Sequence, residues 1–322
     1  MSNKKNRSYR SAEGKRVQWI TIELNIMNQT SVRRNALARA RASSLEQVAL
    51  RWLYRLALLL LLLVALASLM PLYWMITGSF KLQQNAIVTP PEMWPSAPTI
   101  ANYTKLFFGS KPAPRWFLNS VITSTCIMIG AVITSTMAGY AFGKKEFPGR
   151  RVLFWLLVLT VTLPREISLV PLAVMMRQLK WFDTYQGLVA PFIAYPFGIF
   201  LVRQFMQNIP KDLIDAASID GAGELGVFFR IIVPLARPAI GAVAIFSFIG
   251  GWNEYLWQLI IINSERMLTL PVGVSKLVSS LTSYDLGLAM AGATFAFMPM
   301  LLIFLLFQNY FVKGITMGAL KG

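Results

Sequence analysis

Six stretches of this chain are long and apolar enough to cross a lipid bilayer, which takes about 20 mostly apolar residues in a helix. Residues 56–80, 116–143, 184–202 and 286–312 run without a single Asp, Glu, Lys or Arg. Two further runs are interrupted: 152–176 holds Arg165 and Glu166, and 238–263 holds Glu254. Each still spans if its charges face protein or water rather than lipid. The pattern predicts an all-α membrane protein of six transmembrane helices. An even number puts both termini on one side.

Charge placement sets the orientation. In the six-span arrangement, 22 of the 31 Lys and Arg residues fall on the side of the termini and eight on the other, with Arg165 inside a span. Without the N-terminal stretch the split is ten to eight, so that stretch supplies most of the bias. Arg51 and Arg55 flank the first helix directly, where the positive-inside rule weighs most. Both termini are therefore expected in the cytoplasm. The net charge of +17 is then explained by topology, and no nucleic-acid partner is needed.

Composition narrows the chemistry. Charged residues make up 14% of the 322-residue chain, against about 25% in soluble domains. There is no histidine, and the one cysteine, Cys126, lies in an apolar run and reads as packing. General-base catalysis by histidine, zinc sites and disulfide frameworks drop out. Residues 1–50 are polar, basic and poor in aromatics, and read as a disordered cytoplasmic arm ahead of a membrane domain at 51–322. The first apolar run lies too deep for a secretory signal peptide, and Met27 is an alternative start to Met1. Pro90, Pro91, Pro95 and Pro98 punctuate the external loop at 81–115, where a short helix is expected over Ala101–Phe108.

The loop between the fourth and fifth spans, at 208–234, is the most informative. Pro210 suits a first helical turn and Asp212 a positive helix N-terminus, so a helix is expected to run to Ile219–Asp220. Gly221 and Gly223 break it, and a second short helix is expected over 224–233 before Pro234 and Pro238. An amphipathic loop lying on the bilayer is the ordinary reading. Against it, Asp212, Asp215, Asp220 and Glu224 make this loop acidic in a chain otherwise basic on that side. Anionic headgroups repel such a loop, whereas a basic pocket on another protein accepts it. Ala216, Ala217, Gly221 and Ala222 are small enough to let a partner approach the backbone.

The spacing Asp215-Ala216-Ala217, three residues, Gly221, nine residues, Ile231-x-Val233-Pro234 resembles the EAA loop of ABC importer permeases. The family pattern has Glu where Asp215 stands and Leu where Val233 stands, and both changes keep the chemical type. Four other segments look like the carbohydrate branch: LKWFDTYQG at 179–187, PFGIFLVRQF at 196–205, WNEYLW at 252–257 and GITMGALKG at 314–322. Within it they resemble the smaller, six-span permease subunit of maltose- and glycerol-phosphate-type importers, over about residues 56–322.

The resemblance implies a multi-pass subunit of the bacterial cytoplasmic (inner) membrane. Its partners would be two ATP-binding-cassette ATPase subunits, a second, homologous permease and an extracytoplasmic solute-binding protein. This chain carries no phosphate-binding G-x-x-x-x-G-K-[ST] loop, so ATP and its magnesium would be held by the ATPases and no cofactor by this chain. Asp215 would pair with an ATPase arginine, with Ala216, Ala217, Gly221, Ile231 and Pro234 shaping the coupling loop. The tail at 314–322 would also touch the ATPases. Trp252, Asn253, Glu254 and Trp257 are candidates for a solute path, weighed against an aromatic belt at the outer interface. Arg165 and Glu166, being adjacent, do not share a helix face and read as structural.

Two other classes compete. A secondary transporter calls for paired mid-span charges or inverted repeats, and one mixed pair and no repeat are visible. An intramembrane enzyme calls for histidine or paired span aspartates, which are missing. Replacing Asp215 with Lys, or Gly221 with a bulky residue, is expected to abolish transport or assembly while membrane insertion stays intact. Uptake assays and co-purification with the ATPase check this.

Overall fold

The computed structural model describes residues 50–82, 90, 92–109, 113–278 and 285–319, with side chains through 308. The basic arm at 1–49 lies outside these residues, as does the end of the tail at 320–322. By contacts the chain divides into two units, Met1–Leu72 and Tyr73–Gly322. The described residues of the first are helical and belong to α1, Leu50–Gly78. Its leucine-rich sequence is apolar on every face, as lipid-bathed helices are.

The second unit is helical throughout its regular structure, with no strand among the described residues. A short helix, α2 (Ala101–Phe108), sits where the proline-rich loop was expected to form one. The side-chain amide of Asn102 donates to the carbonyls of Ser79 and Lys81 at 2.9 and 2.8 Å, tying α2 back to the end of α1. Then come α3 (Ala113–Lys144), α4 (Arg150–Thr162), a 3₁₀ turn at Arg165–Ser168 and α5 (Leu169–Gln178). They are followed by α6 (Tyr185–Ile193), α7 (Pro196–Gln207) and α8 (Asp212–Ile219). The chain ends with α9 (Glu224–Leu235), α10 (Arg237–Asn253), α11 (Leu256–Ile261), α12 (Leu270–Val278) and α13 (Leu286–Ala319).

Four segments are long and apolar enough to span: α1, α3, α6–α7 as Tyr185–Gln207, and α13. Two more qualify only as bent pairs, Arg150–Thr162 with Arg165–Gln178 at 99° and Glu224–Leu235 with Arg237–Asn253 at 76°. These bends fall near Pro164 and Pro238, where proline removes a helix donor. The apolar run at 238–263 is not one helix. It stops at Asn253 and resumes as the six-residue α11, because Glu254 turns to an extended backbone.

α3 is the hub, packed against α7, α6 and α10. Close approach is secured by small residues, as in other membrane bundles. A Cβ on Gly139 would come within 2.6 Å of Val202 Cγ1 and 3.1 Å of the Arg203 backbone nitrogen. Asn119 is fully buried and its amide donates to the carbonyls of Arg266 and Leu268, both at 2.8 Å, fixing α3 to the segment before α12. Two apolar clusters result. One gathers Trp116, Leu188, Trp252, Trp257 and Leu268, and the other Tyr140, Val202, Met206, Phe228 and Ile232.

Gly139→Ala is expected to overpack the α3–α7 contact and cost about 1–3 kcal/mol. Gly250→Ala, which meets nothing within 4 Å, is the control. Thermal unfolding of the two purified variants in detergent should separate them by a clear drop in Tm for Gly139→Ala alone.

Candidate functional site

The 208–235 segment forms a helical elbow at one end of the bundle. α8 begins at Asp212, two residues later than Pro210 suggested. Ile209 is buried, and its carbonyl accepts from Lys144 Nζ, so the chain is anchored before the helix can start. Asp212 and Asp215 occupy the first turn, where the helix dipole favours negative charge. The C-terminal end is a Schellman cap: the N–H of Ala222 donates to Ala217 O at 2.9 Å and that of Gly221 to Ser218 O at 3.1 Å. Gly221 has φ +81°, a left-handed conformation that L side chains rarely adopt.

α9 carries a π turn over Phe228–Ile232, which sequence spacing did not show. Val227, Phe228 and Ile232 are buried against Tyr140, Val202 and Met206, and Ala217 joins them from α8. Ala217 therefore faces inward, while Asp215, Ala216 and Gly221 face outward. Ile231 and Pro234 are half-buried at the junction with the bundle. Leu213, Ile219, Leu225 and Phe229 stay exposed, Ile219 at 86%. The result is a rigidly rooted elbow with an apolar, acid-edged outer face.

A second attachment is ionic. Lys145 Nζ lies 2.8 Å from Glu224 Oε1, and Lys211 Nζ lies 3.8 Å from Glu146 Oε1. The hydrogen bond to Glu224 holds the Lys145 ammonium above the usual lysine range, against partial desolvation and with help from Tyr140. These groups are well exposed, so each pair contributes little stability on its own. Together with the Lys144 bond to Ile209 they tie the α3–α4 turn to the elbow.

The other site is a cavity of about 790 Å³. It opens where three helix pairs break at one level: α4 from α5, α6 from α7, and α10 from α11. Leu163 to Glu166, Ala194 to Phe197 and Asn253 to Trp257 contribute to its wall. Of the four path candidates, Asn253, Glu254 and Trp257 reach it and Trp252 does not. Trp252 is 2% exposed, stacks on Phe248 and donates Nε1–H to Ala296 O at 3.3 Å. Trp257 is 1% exposed and donates Nε1–H to Gly187 O at 2.9 Å. Both tryptophans are core residues rather than a belt.

Arg165 was read from the sequence as structural, yet it lines the cavity and lies 3.9 Å from Glu254 Oε2. Their separation of 89 positions hid the pairing. The usable signal was Pro164 and Pro196, which break two spans beside polar groups. The wall is held from behind by Asp183, at φ +57°, whose Oδ1 accepts the N–H groups of Asn263 and Ser264 at 3.1 and 3.0 Å. Partial burial alone would raise the Asp183 pKa, but the bonds from Ser264 and Asn263 outweigh it and hold the carboxyl below its ordinary 3.8.

A depressed carboxylate stabilises the fold above its unfolded pKa and loses that contribution as pH falls through its folded value. Asp183→Ala should therefore cost about 1.5–3 kcal/mol locally at neutral pH. Hydrogen exchange at 262–264 is expected to speed up in Asp183→Ala and stay near the parent rate in Asp183→Asn. The gap should narrow below pH 3.8.

Residues 132–317 match the family described as binding-protein-dependent transport system inner membrane component. The chain is 36% identical over 273 residues to an arabinooligosaccharides transport system permease protein of Bacillus subtilis, covering 84% of this chain and 96% of that one. It is 34% identical to a trehalose/maltose transport system permease protein of Thermococcus litoralis, covering 81% and 94%. An sn-glycerol-3-phosphate transport system permease protein of Brucella abortus is 32% identical, covering 80% and 94%. The fold is similar to a chain in the crystal structure of a bacterial ABC transporter involved in import of the acidic polysaccharide alginate. The TM-score is 0.73 and the identity 22%, over 81% of this chain and 97% of that one.

Proposed function

Because this chain belongs to the family of binding-protein-dependent transport system inner membrane components, and is thereby a multi-pass permease subunit of an ABC importer and not an enzyme, we propose that its cargo is a sugar or related polyol. What supports that cargo is the set of relatives named for arabinooligosaccharides, trehalose/maltose and glycerol 3-phosphate. The family implies ATPase subunits, a second permease and a binding protein as partners. In the proposed arrangement, two ATPases sit on the cytoplasmic side. The membrane domain at 51–322 pairs with a homologous permease and takes solute from an extracytoplasmic binding protein.

The six-span reading takes each bent pair as one span. It places both termini, the basic arm at 1–50 and the α8–α9 elbow in the cytoplasm. The observation that carries the mechanism is the elbow: an exposed acidic and apolar face on a helix that is capped and rooted in the bundle. Asp215 meets a basic group of the ATPase, and Ala216 and Gly221 allow close contact. Ala217, Ile231 and Pro234 pass the displacement to the bundle. When the ATPases close on ATP, α8–α9 moves as a body and drags α10 and, through Lys145, the α3–α4 turn. Asn253, Glu254 and Trp257 line the solute path, and Trp252 supports it from the core.

The test is uptake into proteoliposomes holding this chain, its partner permease and the ATPases, with the binding protein supplied outside. Labelled arabinotriose, maltose and glycerol 3-phosphate serve as probes. Accumulation of one of them is expected only with ATP and binding protein together. Accumulation driven by an ion gradient with ATP withheld would overturn the reading.

A further inference from the structure

Arg165 and Glu254 reach the cavity from two different broken spans and are each anchored separately. The Arg165 guanidinium rests over the Phe192 ring, 4.9 Å from its centroid. Glu254 Oε1 accepts the backbone N–H of Trp257 at 3.1 Å, across the break between α10 and α11. That leaves Oε2 of Glu254, 3.9 Å from Arg165 Nη1. Charged N–H···O bonds close at about 2.7–2.9 Å when nothing prevents it. Here a strong donor and a strong acceptor sit about 1 Å farther apart than that, so neither fully satisfies the other.

A hydroxyl group both donates and accepts. A hydroxyl oxygen set to one side of this pair can accept a hydrogen bond from Arg165 and donate one to Glu254, each at about 2.8 Å. The charges also balance. A lone guanidinium beside the cavity would favour an anionic solute, and a lone carboxylate a cationic one. A matched pair demands neither. Arg165, with a 65% exposed side chain, and Glu166, also exposed, both line this cavity, whereas the Glu254 side chain is 17% exposed.

We propose that Arg165 and Glu254 are the solute-contacting pair of this chain, and that they select a neutral, polyhydroxylated solute whose hydroxyls bridge guanidinium and carboxylate. The assignment rests on the reading of the chain as a sugar-importer permease. Arg165 is the residue that sequence reading did not include in the path. Glu254, which was included, acts through the oxygen that Trp257 leaves free.

The test compares the complete reconstituted importer with two single variants, R165M and E254L, and with the double variant R165M/E254L. The double variant leaves no unpaired charge, so a purely structural ion pair can be lost in it at little cost. The readout is labelled sugar imported per ATP hydrolysed, with whichever of arabinotriose and maltose the parent complex accumulates. The ratio is expected to fall at least tenfold in all three. An unchanged ratio in the double variant, including one where uptake and ATP hydrolysis fall together, would show a structural latch and overturn the proposal. So would a parent complex that carries glycerol 3-phosphate and neither neutral sugar. If the parent imports no probe with ATP, the sugar-importer reading is overturned and the proposal that rests on it falls with it.

Discussion

A backbone in hydrocarbon must satisfy its own N–H and C=O groups, and this requirement governs what the chain can do inside a membrane. Helices meet it without help. Broken helices meet it only where the break is covered by protein or opens to water. In this chain α4–α5, α6–α7 and α10–α11 all break around one cavity. The three interruptions bring Arg165 and Glu254, from two different broken spans, within 3.9 Å of each other at that cavity. The uninterrupted helices α3 and α13 supply the frame, and α3 in particular packs against both α6–α7 and α10.

The elbow and the cavity lie at the two ends of one stretch of chain, α9 and α10. α9 leads through Ala236, which is fully buried, and a 76° bend into α10, and α10 ends at Asn253 on the cavity wall. The Schellman cap at Gly221 and the inward Ala217 remove slack from the outer end of this path. The Asp183 clamp on Asn263 and Ser264 and the Trp257 bond to Gly187 remove it from the inner end. In the proposed mechanism, a push on α8 reaches Glu254 by way of the α9–α10 bend.

Much of this was legible in the sequence, for physical reasons. Lipid forbids charge, so charge-free runs mark α1, α3, α6–α7 and α13 to within a few residues. Proline and glycine have restricted or unusual backbone angles, so the short α2, the turn at Gly221 and the two-part elbow were readable as well. The break at Glu254 was not, because LWQLII continues the apolar run and nothing in its hydrophobicity marks a change of direction. The π turn at Phe228–Ile232 has no residue signature of its own. Ala217 faces inward because the cap returns the chain onto the bundle, a tertiary effect that spacing cannot encode. The two tryptophans looked like sugar platforms or a belt, but each found a buried carbonyl for its indole N–H. Arg165 and Glu254 meet only after three spans have folded beside one another.

Asn119 has a consequence for how the protein is made. Its two carbonyl partners, on Arg266 and Leu268, emerge 147 and 149 residues later. At translation speeds of about 5–20 residues per second, α3 waits roughly 7–30 seconds for them. Throughout that interval a buried-to-be amide sits on a membrane helix without its final acceptors. The hub of the bundle is thus inserted early and finished late, and its interim polar groups must be sheltered by water, by the insertion machinery or by provisional neighbours until synthesis catches up.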